Sequence, residues 1–128
     1  MSVEIVSLPD YNTDGNDYFL AIVDEVPAGF FAVRLSENFL YRVWVEPEFR
    51  SRGVLGTFLN YLVELTPGVN WTITSGLPMS ALLWSQHNEF FSVQDPENVR
   101  TLSLEELQLK TETAHQKFQE LTEFWTAG

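Results

Sequence analysis

Residues 43 to 59 read VWVEPEFRSRGVLGTFL and decide the fold, because they predict a strand, a basic turn and a helix in direct succession. The turn contains Gly53, whose permissive φ lets the backbone aim several N–H groups at one point. The helix that follows adds its positive end. A strand, turn and helix of this kind are typical of an anion-binding site.

Two arginines strengthen the prediction of an anion site. Arg50 and Arg52 both lie in the turn, and they are two of only seven basic residues in a chain with a formal net charge of -11. Guanidinium groups suit a diphosphate better than a neutral ligand, because each can donate two parallel hydrogen bonds. The turn is therefore predicted to bind a diphosphate.

At these residues the chain resembles the GNAT superfamily of acyl-CoA N-acyltransferases. The family's pyrophosphate loop follows the pattern (Arg or Gln)-x-x-Gly-x-(Gly or Ala) after a strand that ends in a Pro-containing turn. Arg50, Gly53 and the preceding Val45-x-Pro47 fit this pattern. The resemblance implies that acetyl-CoA or another acyl-CoA is bound by Val43, Val45, Arg50, Ser51, Arg52, Gly53, Val54, Leu55, Gly56 and Thr57.

The last position of the motif departs from the family. It falls on Leu55, where the family has a small residue, and Gly56 comes one place later. Two interpretations are open: the leucine narrows the channel to the diphosphate, or the turn is shifted by one residue.

The flanking segments predict a sheet with helices. Residues 18–26 and 29–35 are rich in aromatic and β-branched residues with turn formers at 24–29 between them, and residues 40–45 predict a third strand. An apolar face at three- and four-residue steps predicts a helix over 54–65, followed by a strand at 71–74, a helix at 78–90 and a strand at 90–93.

This order of elements matches the family from its second strand onward, over roughly residues 17–95. The resemblance implies a single α+β domain over residues 1–128. Its sheet is expected to be mixed and mostly antiparallel, and to be flanked by helices.

The catalytic positions of the family are only partly matched. The tyrosine that often protonates the leaving thiolate corresponds to Ser85, whose hydroxyl is shorter and a poorer acid. The reaction also requires a base, or a water path, that removes a proton from the attacking amine. The glutamate that some members carry on the strand before the loop is replaced by Phe39, so Glu46 is the first choice as base. The alternative for Glu46 is a solvated carboxylate of the turn.

The two ends of the chain differ from the family. Residues 9–17, between strands predicted at 3–8 and from 18, are turn formers, which leaves no room for the two helices that usually help to form the acceptor site. At the other end, a capping box at Ser103 and an apolar stripe predict one long amphipathic helix over 103–127. The helix either packs on the domain's own sheet or forms a dimer seam or a groove-binding surface for a partner. The stripe consists of Leu104, Leu107, Thr111, Ala114, Phe118, Leu121 and Trp125.

Composition limits the classes of function. With no cysteine the chain has no disulfide or thiolate metal site, which fits a reducing cytoplasm, and two histidines are too few for a His-rich metal site. No apolar run approaches membrane-spanning length and no secretory signal is apparent, so we expect a soluble protein. The charge of -11 argues against ordinary nucleic-acid binding.

Two classes of function remain. The first is an acyl-CoA-dependent N-acyltransferase, whose acidic surface would concentrate a cationic acceptor such as a polyamine, an aminoglycoside or a lysine of a basic protein. The second is a binding or structural protein that kept the fold and lost the chemistry, for which the departures at Phe39, Leu55 and Ser85 are the main support. Such a protein would act through its acidic surface or its C-terminal helix.

Overall fold

The computed structural model describes residues 2–11, 15–73, 90–93 and 103–128. Six strands form one sheet in the order β1-β2-β3-β4-β5-β6. The first four strands are antiparallel, whereas β5 is parallel to β4 and β6 is parallel to β5. The strands are β1 Val3–Ser7, β2 Asp17–Val23, β3 Val26–Arg34, β4 Phe39–Val45, β5 Trp71–Ile73 and β6 Phe91–Val93.

The β2–β3 hairpin is tighter than the sequence predicts. Asp24 and Glu25 alone form the turn, with φ of 47° and 72°, because two positive φ values match the twist of the strands that they join. The predicted turn at 24–29 is therefore wrong after residue 25, since β3 already begins at Val26. The register between β2 and β3 then shifts at Ala28. On the other side of β3, Gly29 pairs with Val45.

One face of the sheet is covered by helix α1, Val54–Leu65, with the predicted bounds. The ring of Phe58 on α1 stacks on that of Phe31 on β3 with centroids 3.8 Å apart, and Phe19 on β2 lies 5.7 Å from Phe58. These rings are almost completely buried, as are Leu59 and Leu62 of the same helix. The buried residues described on this face form an apolar core.

The other face is covered by the C-terminal helix α2, Leu104–Ala127, which confirms the predicted long helix. The helix buries Ala114, Phe118 and Leu121 against a second core that contains Leu20, Phe30 and Trp44. Its predicted capping box is present, because the Ser103 hydroxyl accepts from Glu106 N–H and the Glu106 carboxylate accepts from Ser103 N–H. The helix therefore packs on the domain's own sheet.

Only part of the predicted apolar stripe of α2 is buried. Leu104 and Leu107 are 80% and 51% exposed, and Leu109 beside them is 65% exposed. The helix contacts the second core from Ala114 onward, so its first two to three turns extend past the sheet face.

A polar network joins α2 to the segment between β1 and β2. The Tyr11 hydroxyl donates to Glu120 Oε2 at 2.8 Å and accepts from Lys117 Nζ at 3.1 Å. The ammonium group of Lys117 also lies 5.2 Å and 5.4 Å from the ring centroids of Tyr11 and Tyr18. As predicted, no helix occurs in the described residues between these two strands.

Candidate functional site

Strand β4 and helix α1 are joined by a loop with two left-handed residues. A 3-10 turn at Pro47–Phe49 follows the strand, and the chain then reverses at Ser51 and Gly53, where φ is 63° and 80°. Glycine adopts this conformation without penalty, whereas serine does so at some cost. The loop therefore has the tight reversal that the sequence predicts for an anion site.

The first turn of α1 leaves its backbone donors open. Gly53 stands at the N-cap position and has no side chain to accept a hydrogen bond. Within the described part of the chain, the N–H groups of residues 51 to 56 have no acceptor, and the ladder begins with Thr57 N–H, which donates to Gly53 O at 2.9 Å. Free N–H groups at a helix start carry a positive partial charge of about half a unit. The loop thus offers several donors to an anion.

The edge of β4 next to the loop is also open toward β5. Strand β5 pairs with β4 only at Phe39 and Leu40, so no described strand borders residues 41 to 45 on that side. Glu46 N–H donates to Ala28 O at 2.7 Å and so points at β3. Because backbone groups alternate along a strand, those of Val43 and Val45 point to the open edge.

The two arginines of the loop differ in their contacts. Arg50 turns back on the strand, where its Nε donates to Val45 O at 2.9 Å and its guanidinium lies 5.0 Å from the Trp44 ring. Arg52 is exposed, and its guanidinium lies 5.9 Å from the Phe49 ring. Arg50 therefore ties the loop to the end of β4, a contact that the sequence pattern did not indicate.

The side chains at the start of α1 make contacts within the chain. Val54 is buried, and Leu55 packs on the core beneath α1. The Thr57 hydroxyl donates to Gly53 O at 2.8 Å, which fixes the left-handed residue to the helix. Leu55 is only partly buried, and its effect on access to the backbone donors stays a prediction. Gly56 lies in the first turn beside these donors.

Glu46 has a partner that the sequence argument missed. Its Oε1 lies 3.6 Å from Nε2 of His115 on α2, with the two side chains 20% and 45% exposed. The His115 ring is 6.1 Å from the ring of Trp44, which is itself buried. The signal in the sequence was the position of His115 directly after Ala114, a member of the apolar stripe. The first-choice base thus lies at a junction of β4, the loop and α2.

The other predicted catalytic residue, Ser85, lies outside the described residues, as does most of the helix predicted at 78–90. Among the residues that are described, there is no cluster of three or more side chains suited to hold a metal ion. None of the described helices is long and apolar enough to cross a membrane.

Comparison with known proteins identifies the fold. No protein-family profile and no curated protein matches the chain. A solved structure does: the solution structure of YhhK from E. coli, a proposed N-acetyltransferase, bound to coenzyme A. The two share 21% identity with a TM-score of 0.55, and the match covers 73% of this chain and 94% of that one. The chain has a GNAT-like fold. At this level of identity the likeness concerns the fold alone, and the role of each site residue stays a prediction.

Proposed function

We propose that this protein binds an acyl-CoA and transfers an acetyl or other acyl group to an amine. The observation that carries the proposal is the junction of β4 and α1, where an open strand edge leads directly to a row of backbone N–H groups without a described acceptor. An acyl-CoA combines an amide-containing arm with a diphosphate, so the two features match the two parts of one ligand.

From the contacts of the loop we propose a role for each part of it. The N–H groups of Ser51 to Gly56 and the Arg52 guanidinium would bind the diphosphate, and the backbone of Val43 with the N–H group of Val45 would pair with the amide arm. Arg50 would hold the loop in place, because its side chain is already bonded to Val45 O. The fold likeness to a structure solved with coenzyme A supports the same ligand.

Acyl transfer needs little covalent help from the protein. A neutral amine nitrogen attacks the thioester carbonyl carbon, and a C–N bond forms as the C–S bond breaks. The nitrogen loses one proton and the sulfur gains one. Glu46 is our candidate to accept the first proton, directly or through a water, and Ser85 is our candidate to supply the second. His115 beside Glu46 can pass the proton to solvent. Positioning supplies much of the rate.

The acidic surface selects for a positively charged acceptor at long range. With a formal charge of -11, the chain attracts cations such as polyamines, aminoglycosides or lysines of basic proteins. The absence of cysteine fits a reducing compartment, and we place the reaction in the cytoplasm.

The first experiment is calorimetric titration of the protein with acetyl-CoA and with CoA. We expect micromolar binding in the wild type, and a loss of about tenfold or more in Arg52→Ala, equivalent to about 1.4 kcal/mol. Lys110→Ala is the matched control, because it also removes one exposed positive charge but lies on α2. Equal losses in both variants would show that only net charge matters. No binding by the wild type would refute the proposal.

As a second candidate, we propose a binding protein that acts through the first turns of α2. The exposed leucines Leu104 and Leu107 favour this function, because they lie on one face of the helix and monomeric proteins rarely expose large contiguous apolar patches. We propose a second copy of the chain as the partner, with these leucines forming the seam.

Light scattering after size exclusion tests the second candidate. We expect a dimeric mass for the wild type, and a monomeric mass when Leu104 and Leu107 are both replaced by serine. The control is Val26→Ser, another exposed apolar side chain, which lies in the β2–β3 hairpin and should leave the mass unchanged. A monomeric wild type at high concentration would refute a dimer seam on this helix.

A further inference from the structure

Two arginines enclose one tyrosine ring at the start of β4. The Cζ atoms of Arg34 and Arg42 lie 5.4 Å and 5.5 Å from the ring centroid of Tyr41. Tyr41 is 38% exposed, and the Arg34 side chain is 42% exposed. We call these three residues the arginine–tyrosine cluster. The cluster thus brings two guanidinium groups to one exposed ring.

A buried side chain holds one of the two arginines in position. Arg34 Nε donates to Asn16 Oδ1 at 2.9 Å, and Asn16 is only 3% exposed. Nη1 of Arg34 lies 3.5 Å from Oε2 of Glu37 in an exposed ion pair. An exposed pair of this kind contributes little to stability and is easily exchanged for another carboxylate. Arg34 is thus oriented before any ligand arrives.

The cluster carries an excess of positive charge. No described carboxylate lies within ion-pair distance of Arg42, so two guanidinium groups face only the carboxylate of Glu37. This excess is notable in a chain whose formal charge is -11. The repulsion between the rest of the chain and an anion is screened over about 10 Å, whereas direct contacts with arginine are not.

The cluster lies where β4 parts from β5. Tyr41 is the bulged residue of β4, because Ala32 pairs with Arg42 and Val33 pairs with Leu40. Tyr41 and Arg42 are also the first residues beyond the pairing of β4 with β5. Arg42 is four residues from Glu46, or about 13 Å along a strand. An extended arm that starts at the loop and follows β4 therefore ends beside the cluster.

We propose that the arginine–tyrosine cluster binds a carboxylate group of the substrate at the reacting end. This inference rests on the proposed function, because it uses the direction of the acyl-CoA arm along β4. A guanidinium group can donate two parallel hydrogen bonds to a carboxylate, and the second guanidinium group beside the same ring adds to the attraction. The carboxylate belongs either to a dicarboxylic acyl group or to an acceptor amine that also bears an acid.

Titration calorimetry of the full chain distinguishes these two sources. In the first arm, CoA, acetyl-CoA and succinyl-CoA are compared. In the second arm, glutamate and its decarboxylated counterpart 4-aminobutyrate are compared with 1,4-diaminobutane, each added to the CoA complex. Succinyl-CoA about tenfold tighter than acetyl-CoA assigns the carboxylate to the acyl group. If acetyl-CoA and succinyl-CoA bind equally, and glutamate and 4-aminobutyrate bind more tightly than 1,4-diaminobutane, the carboxylate belongs to the acceptor.

Arg42→Met and Arg42→Lys test the role of the cluster itself. We expect Arg42→Met to abolish the preference for the carboxylate while the affinity for CoA changes less than about twofold. Arg42→Lys should recover only part of the preference, because a lysine cannot donate in parallel. Lys110→Met, with the same change in net charge, is the control and should keep the full preference.

The outcomes separate this inference from the proposed function. If CoA binds but neither carboxylate source is preferred, or if the preference survives in Arg42→Met, the cluster is not a carboxylate site. If CoA itself does not bind, the proposed function fails, and the cluster is tested by NMR of its Nε–H signals with succinate alone. Shifts at Arg34 and Arg42 that Arg42→Met abolishes would then support the site, and unchanged signals would overturn it.

Discussion

The two faces of the sheet are covered in different ways. Helix α1 follows the loop directly and buries a continuous aromatic and aliphatic core, with the Phe31 and Phe58 rings stacked. Helix α2 comes from the far end of the chain and buries three side chains, Ala114, Phe118 and Leu121, with help from polar contacts at its sides. The α1 face therefore sets the geometry of the loop, whereas the α2 face is attached through fewer and more exchangeable contacts.

The largest expected effects on stability come from replacing one buried phenylalanine on each helix, Phe58 on α1 and Phe118 on α2. Phe58→Ala should lower the free energy of unfolding by about 3–5 kcal/mol, because the stacked rings around it cannot close the cavity. Phe118→Ala should cost about 1–2 kcal/mol less, since α2 can shift to fill part of the space. Urea denaturation measures both. An equal or larger loss for Phe118→Ala would contradict the view that the α2 face is the more adjustable one.

The next prediction compares two glycines. It distinguishes the stability cost of backbone strain from the role of the β4–α1 loop in binding CoA. Gly53→Ala and Gly68→Ala both place a β-carbon at a positive φ, of 80° and 76°, with nothing else within 4 Å of it. Each should lower stability by about 1–2 kcal/mol. Only Gly53→Ala should weaken binding of CoA, by about tenfold, because it alone disturbs the donors of the loop. Equal affinity in both variants would remove the loop from the binding site.

A smaller effect concerns the polar attachment of α2. Tyr11→Phe removes the hydroxyl that joins Lys117 and Glu120, and should lower the free energy of unfolding by about 0.5–1.5 kcal/mol. Tyr61→Phe is the matched change on the α1 face, where the ring packs beside Phe19 and no described hydrogen bond involves its hydroxyl. Thermal or urea unfolding of both variants should show a loss for Tyr11→Phe alone.

The structure of the α1 face can be predicted from the sequence more fully than that of the α2 face. The α1 face could be read from residues 43–65, because strand, loop and helix are contiguous and the apolar spacing has one period. Contacts across the chain could not be read in this way. The Glu46–His115 pair joins two residues about 70 positions apart in the sequence. The arginine–tyrosine cluster depends on a bulge at Tyr41 that no local pattern indicates. The stripe of α2 predicted a helix correctly, but not where the helix leaves the sheet.

The smallest expected effect is the pH dependence of the α2 attachment. The hydrogen bond from Tyr11 lowers the pKa of Glu120, against the opposing effect of burial, and Lys117 adds to the lowering. A lowered pKa means that the contribution of Glu120 to stability is present above its unfolded pKa of about 4.5 and is lost as the pH falls through the folded value. Burial lowers the pKa of Lys117, but the hydrogen bond to Tyr11 and the nearby Tyr18 and Glu120 outweigh it and raise the pKa above 10.5. The Lys117 contribution is therefore present below pH 10.5, is lost only above it, and stays constant in acid.

The variant Glu120→Gln tests the loss of stability that we expect as the pH falls. At pH 7 it should lower the free energy of unfolding by only about 0.2–0.5 kcal/mol, because the Glu120 side chain is 60% exposed and solvent screens the pair. The difference from wild type should vanish as the pH falls below the folded pKa, where the wild-type carboxyl is also neutral. Glu64→Gln on α1 makes the same chemical change away from any described ion pair and should show no such step. If the Glu120→Gln difference persisted below the pH at which the Glu120 carboxyl is seen to titrate by NMR, the contact would be one of packing, and charge would have no part in holding α2 to the sheet.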